Sequence, residues 1–153
     1  MKRLLFLKLL ALVACLSSAL SATAAYDFYK NGIYYKITSS TDKTVEVTYN
    51  PAWHDEYDGS YESNVTIPQT VTYNSTTYTV TGIGKNAFEY SGAMTSVSIP
   101  SSVTYIDSYA FNDCPGLTNI TIPNAVSRID AGAFENCLSL SSVTLGTGLH
   151  TIG

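Results

Sequence analysis

Few residues in this chain could do chemistry. Asp107 and Asp130 are spaced by one copy of a repeated sequence unit. A carboxylate pair about 5 to 10 Å apart can hydrolyse glycosidic bonds. The histidines are His54 and His150. His150 takes the place held by Ser127 and Thr104 in earlier units, a variable surface position. Cys114 and Cys137 share that spacing. The segment from Trp53 to Glu62 is charged and aromatic-rich, and a loop of this kind could contact a ligand or Ca²⁺. It lacks the D-x-D-x-D-G order of a calcium loop, so the expectation is a solvated loop joining two strands. G-x-S-x-G, H-E-x-x-H, Walker and C-x-x-C patterns are absent. Asp107 and Asp130 would sit on a stacked surface without a pocket. The expectation is that this chain is not an enzyme and uses no cofactor or metal.

Those residues are positioned by a period of 23. Ile83, Ile106, Ile129 and Ile152 keep it, as do Phe88, Phe111 and Phe134. Ala87, Ala110 and Ala133 follow, then Val80, Val103, Val126 and Leu149, and Met94, Leu117 and Leu140. Val97, Ile120 and Val143 precede Ile99, Ile122 and Leu145, and Pro100, Pro123 and Gly146 come next. The unit reads V-x-x-I-x-x-x-A-F-x-x-C-x-x-L-x-x-V-x-I-P-x-x. One such unit cannot bury its apolar side chains, whereas stacked units align them into continuous ladders.

Within a unit, L-x-x-V-x-I alternates with period two and predicts a strand. Ile120 and Ile122 then face inward, Asn119 and Thr121 outward. Proline ends the strand because it cannot donate to a ladder. The stretch Ala110 to Cys114 is too short for a long helix and suggests one helical or 3₁₀ turn. The outward strand positions are Ser96, Ser98, Asn119, Thr121, Ser142 and Thr144. They make an uncharged hydroxyl and amide face, the candidate binding face. Equivalent cysteines in neighbouring coils stand about 4.8 Å apart, close to the short limit for a disulfide. They read as buried free thiols, with a bridge still open.

The unit resembles the BspA-like (treponemal-type) leucine-rich repeat. The matching stretches are Ile83 to Ile99, Ile106 to Pro123, and Ile129 to Leu145, with Ser91 where the other units have Cys. The resemblance implies a mainly β leucine-rich-repeat solenoid over residues 79–153, three full units and a truncated fourth. It also implies a cell-surface adhesion module that contacts host matrix proteins or other bacteria. The alternatives are a structural spacer and an accessory domain of a larger secreted protein or enzyme. Because the fourth unit breaks off at Gly153, the expectation is an N-terminal fragment of a longer protein.

Residues 25–78 precede the array and predict a small antiparallel β cap. Asn31-Gly32 sits between aromatic and β-branched residues, and Val45 to Tyr49 should pair with that segment. Val71 to Val80 alternates around Asn74-Ser75, the pattern of a hairpin. The motif Y-D-F-x-x-x-G-I-Y-Y-x-I, from Tyr26 to Ile37, is similar to the start of many exported Bacteroidetes-type repeat proteins. Asn64, Asn74 and Asn119 open N-x-S/T sequons, which carry little meaning in a bacterial protein.

Residues 1–24 read as a secretory signal peptide. Lys2 and Arg3 precede an apolar run from Leu4 to Leu16, and Ala22-Thr23-Ala24 supplies an A-x-A cleavage site before Ala25. The apolar core is about a dozen residues, too short to span a bilayer, which needs about 20. Leu12-Val13-Ala14-Cys15 resembles a lipobox, so a lipid anchor at Cys15 is the alternative.

Composition fits this reading. The 153 residues are 45% hydrophobic but only 13% charged, against roughly 25% in average domains. There are 18 Ser, 19 Thr and 12 Tyr. The net charge is −4, and the 8 Lys and Arg are too few and scattered for a nucleic-acid face.

Overall fold

The computed structural model describes residues 25–50, 61 and 63–153. The signal-peptide and lipobox readings, His54 and most of the Trp53–Glu62 segment lie outside them.

The cap begins with β1 (Phe28–Lys30) and β2 (Ile33–Ser39), joined antiparallel through Asn31-Gly32. Both turn residues have positive φ, 51° and 83°, the conformation a two-residue hairpin requires. β3 (Thr44–Thr48) pairs antiparallel with β2, as the alternation predicted. β4 (Ser63–Thr66) follows. β5 (Thr70–Tyr73) and β6 (Thr76–Ile83) form the expected hairpin, with Asn74 and Ser75 at φ 45° and 61°.

The repeats supply β7 (Met94–Ser98), β8 (Tyr105–Ile106), β9 (Asn119–Thr121), β10 (Arg128–Ile129), β11 (Ser142–Thr144) and β12 (Thr151–Ile152). The L-x-x-V-x-I segments are β7, β9 and β11. A second strand track comes from the V-x-x-I half of each unit, as β8, β10 and β12. Its two-residue strands carry no alternation, which is why periodicity did not reveal them.

This second track makes the cap and the array continuous. An eight-stranded sheet runs in the order β1-β2-β3-β6-β8-β10-β12, with β5 beside β6. β3, β6, β8, β10 and β12 are mutually parallel. The cap therefore covers the sheet edge that the first coil would otherwise expose, the edge through which strands aggregate. On the other track β4 pairs with β7 and β9 with β11, both parallel.

Between the tracks the apolar positions stack. The rings of Phe88 and Phe111 are 5.0 Å apart at 8°, and those of Phe111 and Phe134 are 5.1 Å apart at 4°. Ile83, Val103, Ile106, Leu117 and Val126 are fully buried. Removing such a ring costs about 3–5 kcal/mol, through lost transfer energy and the cavity left behind.

Two expectations change. No helix forms among the described residues. Ala110 to Cys114 is built of tight turns, because Tyr109 just before it and Asp113 near its end adopt φ 59° and 52°. The same positions in the flanking coils, Asn86 and Gly132, Tyr90 and Asn136, are also positive. Left-handed residues at both ends stop a helix from propagating. The turn is instead tied to the next coil: Phe88 N–H donates to the Ala110 carbonyl and Phe111 N–H to that of Ala133, both at 2.8 Å. The second change is Tyr61, which the sequence placed in a solvated loop. It is 3% exposed.

Candidate functional site

The outward positions of β7, β9 and β11 lie beside a groove. Its volume is about 710 Å³, and it spans three coils. Ser98, Asn119, Thr121 and Thr144 line it, four of the six positions singled out in the sequence. Ser96 and Ser142 do not. Ser96 is half-buried. Its Oγ and Thr95 Oγ1 both donate to Asn64 Oδ1, at 2.7 and 2.8 Å, because β4 runs alongside β7. Ser142 is exposed at the array's far strand.

Alternation sets these orientations. Ile120 and Ile122 are 3% and 1% exposed, while Asn119 and Thr121 between and beside them face solvent. The same inward positions of the third coil behave differently. Val143 and Leu145 are 48% and 52% exposed.

The groove also takes in the corner after each strand. Ile99 and Ser101, Pro123, Asn124 and Ala125, and Leu145 and Gly146 complete its walls. Sequence reasoning passed over these residues. The available signal was Pro100, Pro123 and Gly146 in register, which marks a corner repeated coil after coil. Gly146 is required there, since a Cβ would fall 2.4 Å from the Pro123 carbonyl oxygen. The strand track opens at this groove. Ile67 N–H donates to Ser98 O at 3.0 Å and Ile122 N–H to Thr144 O at 2.8 Å. The equivalent bond from Ile99 to Thr121 is not formed, and β7 and β9 do not pair.

No charged or aromatic side chain lines the groove. Its polar groups are hydroxyls, amides and backbone, suited to neutral hydrogen bonds, and its apolar floor is Val97 and Ile122. It can hold and orient a ligand. It offers no acid, base or nucleophile with a shifted proton affinity.

The other sequence candidates do not converge. Asp130 forms an ion pair with Arg128, and Asp107 Oδ1 accepts its neighbour Ser108 N–H at 2.7 Å. His150 is exposed and its Nδ1 contacts the Gly148 carbonyl. Among the described residues, no three His, Cys, Asp or Glu side chains gather as a metal site. Cys114 and Cys137 are unbridged; each Sγ donates to a phenylalanine carbonyl one coil back, Phe88 and Phe111, at 3.1 Å. The Cys137 thiol beside it, and then burial, push Cys114 well above the usual thiol range.

Comparison with known proteins agrees with the architecture. Residues 81–153 match the BspA type leucine rich repeat region. A leucine-rich repeat protein from Bacteroides ovatus is 35% identical, with a TM-score of 0.71 over 84% of this chain and 32% of that one. A Treponema pallidum leucine rich repeat protein is 23% identical, with a TM-score of 0.66 over 83% of this chain and 53% of its own. A leucine rich cell surface protein from Faecalibacterium prausnitzii is 23% identical, with a TM-score of 0.58 over 86% and 46%. This chain thus spans between a third and about half of each of these proteins. No curated protein matches it. The repeat body of this chain belongs to the BspA type leucine rich repeat family.

Proposed function

We propose that this chain is an exported surface module that binds a protein partner through the groove beside β7, β9 and β11. The observation that carries the reading is the lining of that groove. Ser98, Asn119, Thr121 and Thr144 from three coils present uncharged polar groups over an apolar floor. Extended repeat surfaces of this kind are how solenoids bind. Export rests on the basic start, apolar run and A-x-A site of residues 1–24. The partner class is an extracellular or cell-surface protein, from a host matrix or another bacterium.

The test is capture by immobilised extracellular matrix proteins and by intact bacterial cells. Binding that is lost in Thr121→Arg, with the fold intact by circular dichroism, supports the reading. Capture by neither surface, or equal capture of wild type and variant, leaves the spacer role as the function of the array.

A further inference from the structure

A second cavity, of about 490 Å³, lies where the cap meets the first repeat. Its walls hold Ala25, Lys36, Glu46, Thr48, Lys85 and Asp107. Tyr49 and Asn86 also line it. Among the described residues neither Glu46 nor Asp107 forms an ion pair with a lysine or arginine. Both carboxylates are nevertheless fixed in place. Glu46 Oε2 accepts the Tyr105 hydroxyl at 2.7 Å, and Asp107 Oδ1 accepts Ser108 N–H.

Ala25 is anchored in this wall. Thr48 Oγ1, on a residue only 4% exposed, donates to the Ala25 carbonyl at 3.1 Å. The next residues are held as firmly. Tyr26 packs edge-on to Tyr34, Asp27 N–H donates to Tyr35 O at 2.8 Å, and Ile37 N–H donates to Asp27 Oδ2 at 2.6 Å. The A-x-A sequence Ala22-Thr23-Ala24 ends immediately before Ala25.

We propose that export creates the occupant of this cavity. The exporting cell's signal peptidase adds water across the Ala24–Ala25 amide. Ala24 leaves as a carboxylate, and the nitrogen of Ala25 takes a proton to become an α-ammonium. That cation is retained in the cavity by Glu46 and Asp107, locking the start of the cap onto the first repeat. The uncleaved chain carries a neutral amide at the same place and lacks the lock. This inference rests on the export reading above, through the cleavage it requires.

The experiment uses the full chain produced in an exporting bacterium. Intact mass must give Ala25 as the first residue; any other start overturns the proposal and, if nothing is cleaved, the export reading too. The mature protein is then acetylated at its α-amine near pH 6.5, where lysines stay protonated, and confirmed by mass. Acetylation should lower Tm by about 2 °C or more at neutral pH. A retained ammonium stabilises below the ordinary α-amine range of about 7.7–8.0 and is lost as pH rises through its folded value. The gap should therefore close at alkaline pH. It should also close in the Glu46→Gln, Asp107→Asn double variant. Equal Tm for acetylated and free protein at neutral pH overturns the lock while leaving export standing. If the double variant does not fold, the pH series decides alone.

Discussion

The ring of Tyr61 sits 4.6 Å from that of Phe88, at the head of the phenylalanine file. Its hydroxyl reaches into the cap, donating to the Thr48 carbonyl at 2.7 Å and accepting Tyr34 N–H at 3.1 Å. One side chain thus ends the aromatic stack and binds it to β2 and β3. Tyr61→Ala should cost about 3–5 kcal/mol by emptying that place. Tyr61→Phe keeps the packing but leaves Tyr34 N–H without a partner, at about 1–3 kcal/mol. Urea unfolding of both variants checks the order; equal losses would mean that the packing of the ring contributes nothing.

Ser91 breaks the column that Cys114 and Cys137 continue. It is fully buried and its hydroxyl has no hydrogen-bond partner. Burying such a group costs about 1–3 kcal/mol. Ser91→Ala should therefore raise stability by about 1 kcal/mol, read as about 2–4 °C in Tm. A lower Tm would show that packing by the oxygen outweighs its missing bond.

The two thiols should differ in reactivity. Cys137 is half-buried, and its proton affinity is lowered by the Cys114 thiol. Cys114 is fully buried and shifted the other way. Because the thiolate is the reactive form, iodoacetamide should modify Cys137 in the folded protein and reach Cys114 only after unfolding. Peptide mass mapping distinguishes them, and equal labelling would contradict the arrangement.

Burial pushes the Tyr35 phenol up to about 12 and raises Tyr61 and Tyr105 as well, with the hydrogen bond to Glu46 adding to Tyr105. All three are protonated in both folded and unfolded chains below about pH 10. Their contribution is fully present there. Above it only the unfolded chain ionises, so stability should fall as pH climbs from 10 toward 12 and beyond. Tyrosinate absorbance from these rings should rise together with loss of circular dichroism. Ionisation of all the tyrosines well ahead of unfolding would argue against their burial.

How far the sequence could be read followed the length of each periodic signal. β9 was visible because Ile120 and Ile122 alternate with Asn119 and Thr121. β8, β10 and β12 were invisible, since two residues such as Tyr105-Ile106 show no alternation. Their partners are one full period away, so they also leave no local hairpin mark. The sequence suggests one helical or 3₁₀ turn at Ala110 to Cys114 because nothing in Tyr109 announces a left-handed backbone; Gly132 in the same register is the available hint. Tyr61 was hidden by its neighbours, whose charges describe a loop while its ring belongs to the core. At the groove, alternation along the strands identified the outward positions. The corner residues Ile99, Pro123 and Leu145 needed the third dimension, because coil stacking brings them together.

The central claim is that the uncharged groove across three coils is the binding surface. It is tested most directly by titrating a captured partner protein against wild type, Thr121→Arg and Ser139→Arg, an exposed position outside the groove. The account predicts at least about a tenfold loss of affinity for Thr121→Arg, about 1.4 kcal/mol, and none for Ser139→Arg. It also predicts wild-type affinity that changes little with salt, since no charge lines the site. Unchanged affinity in Thr121→Arg, or binding abolished by salt, would contradict it.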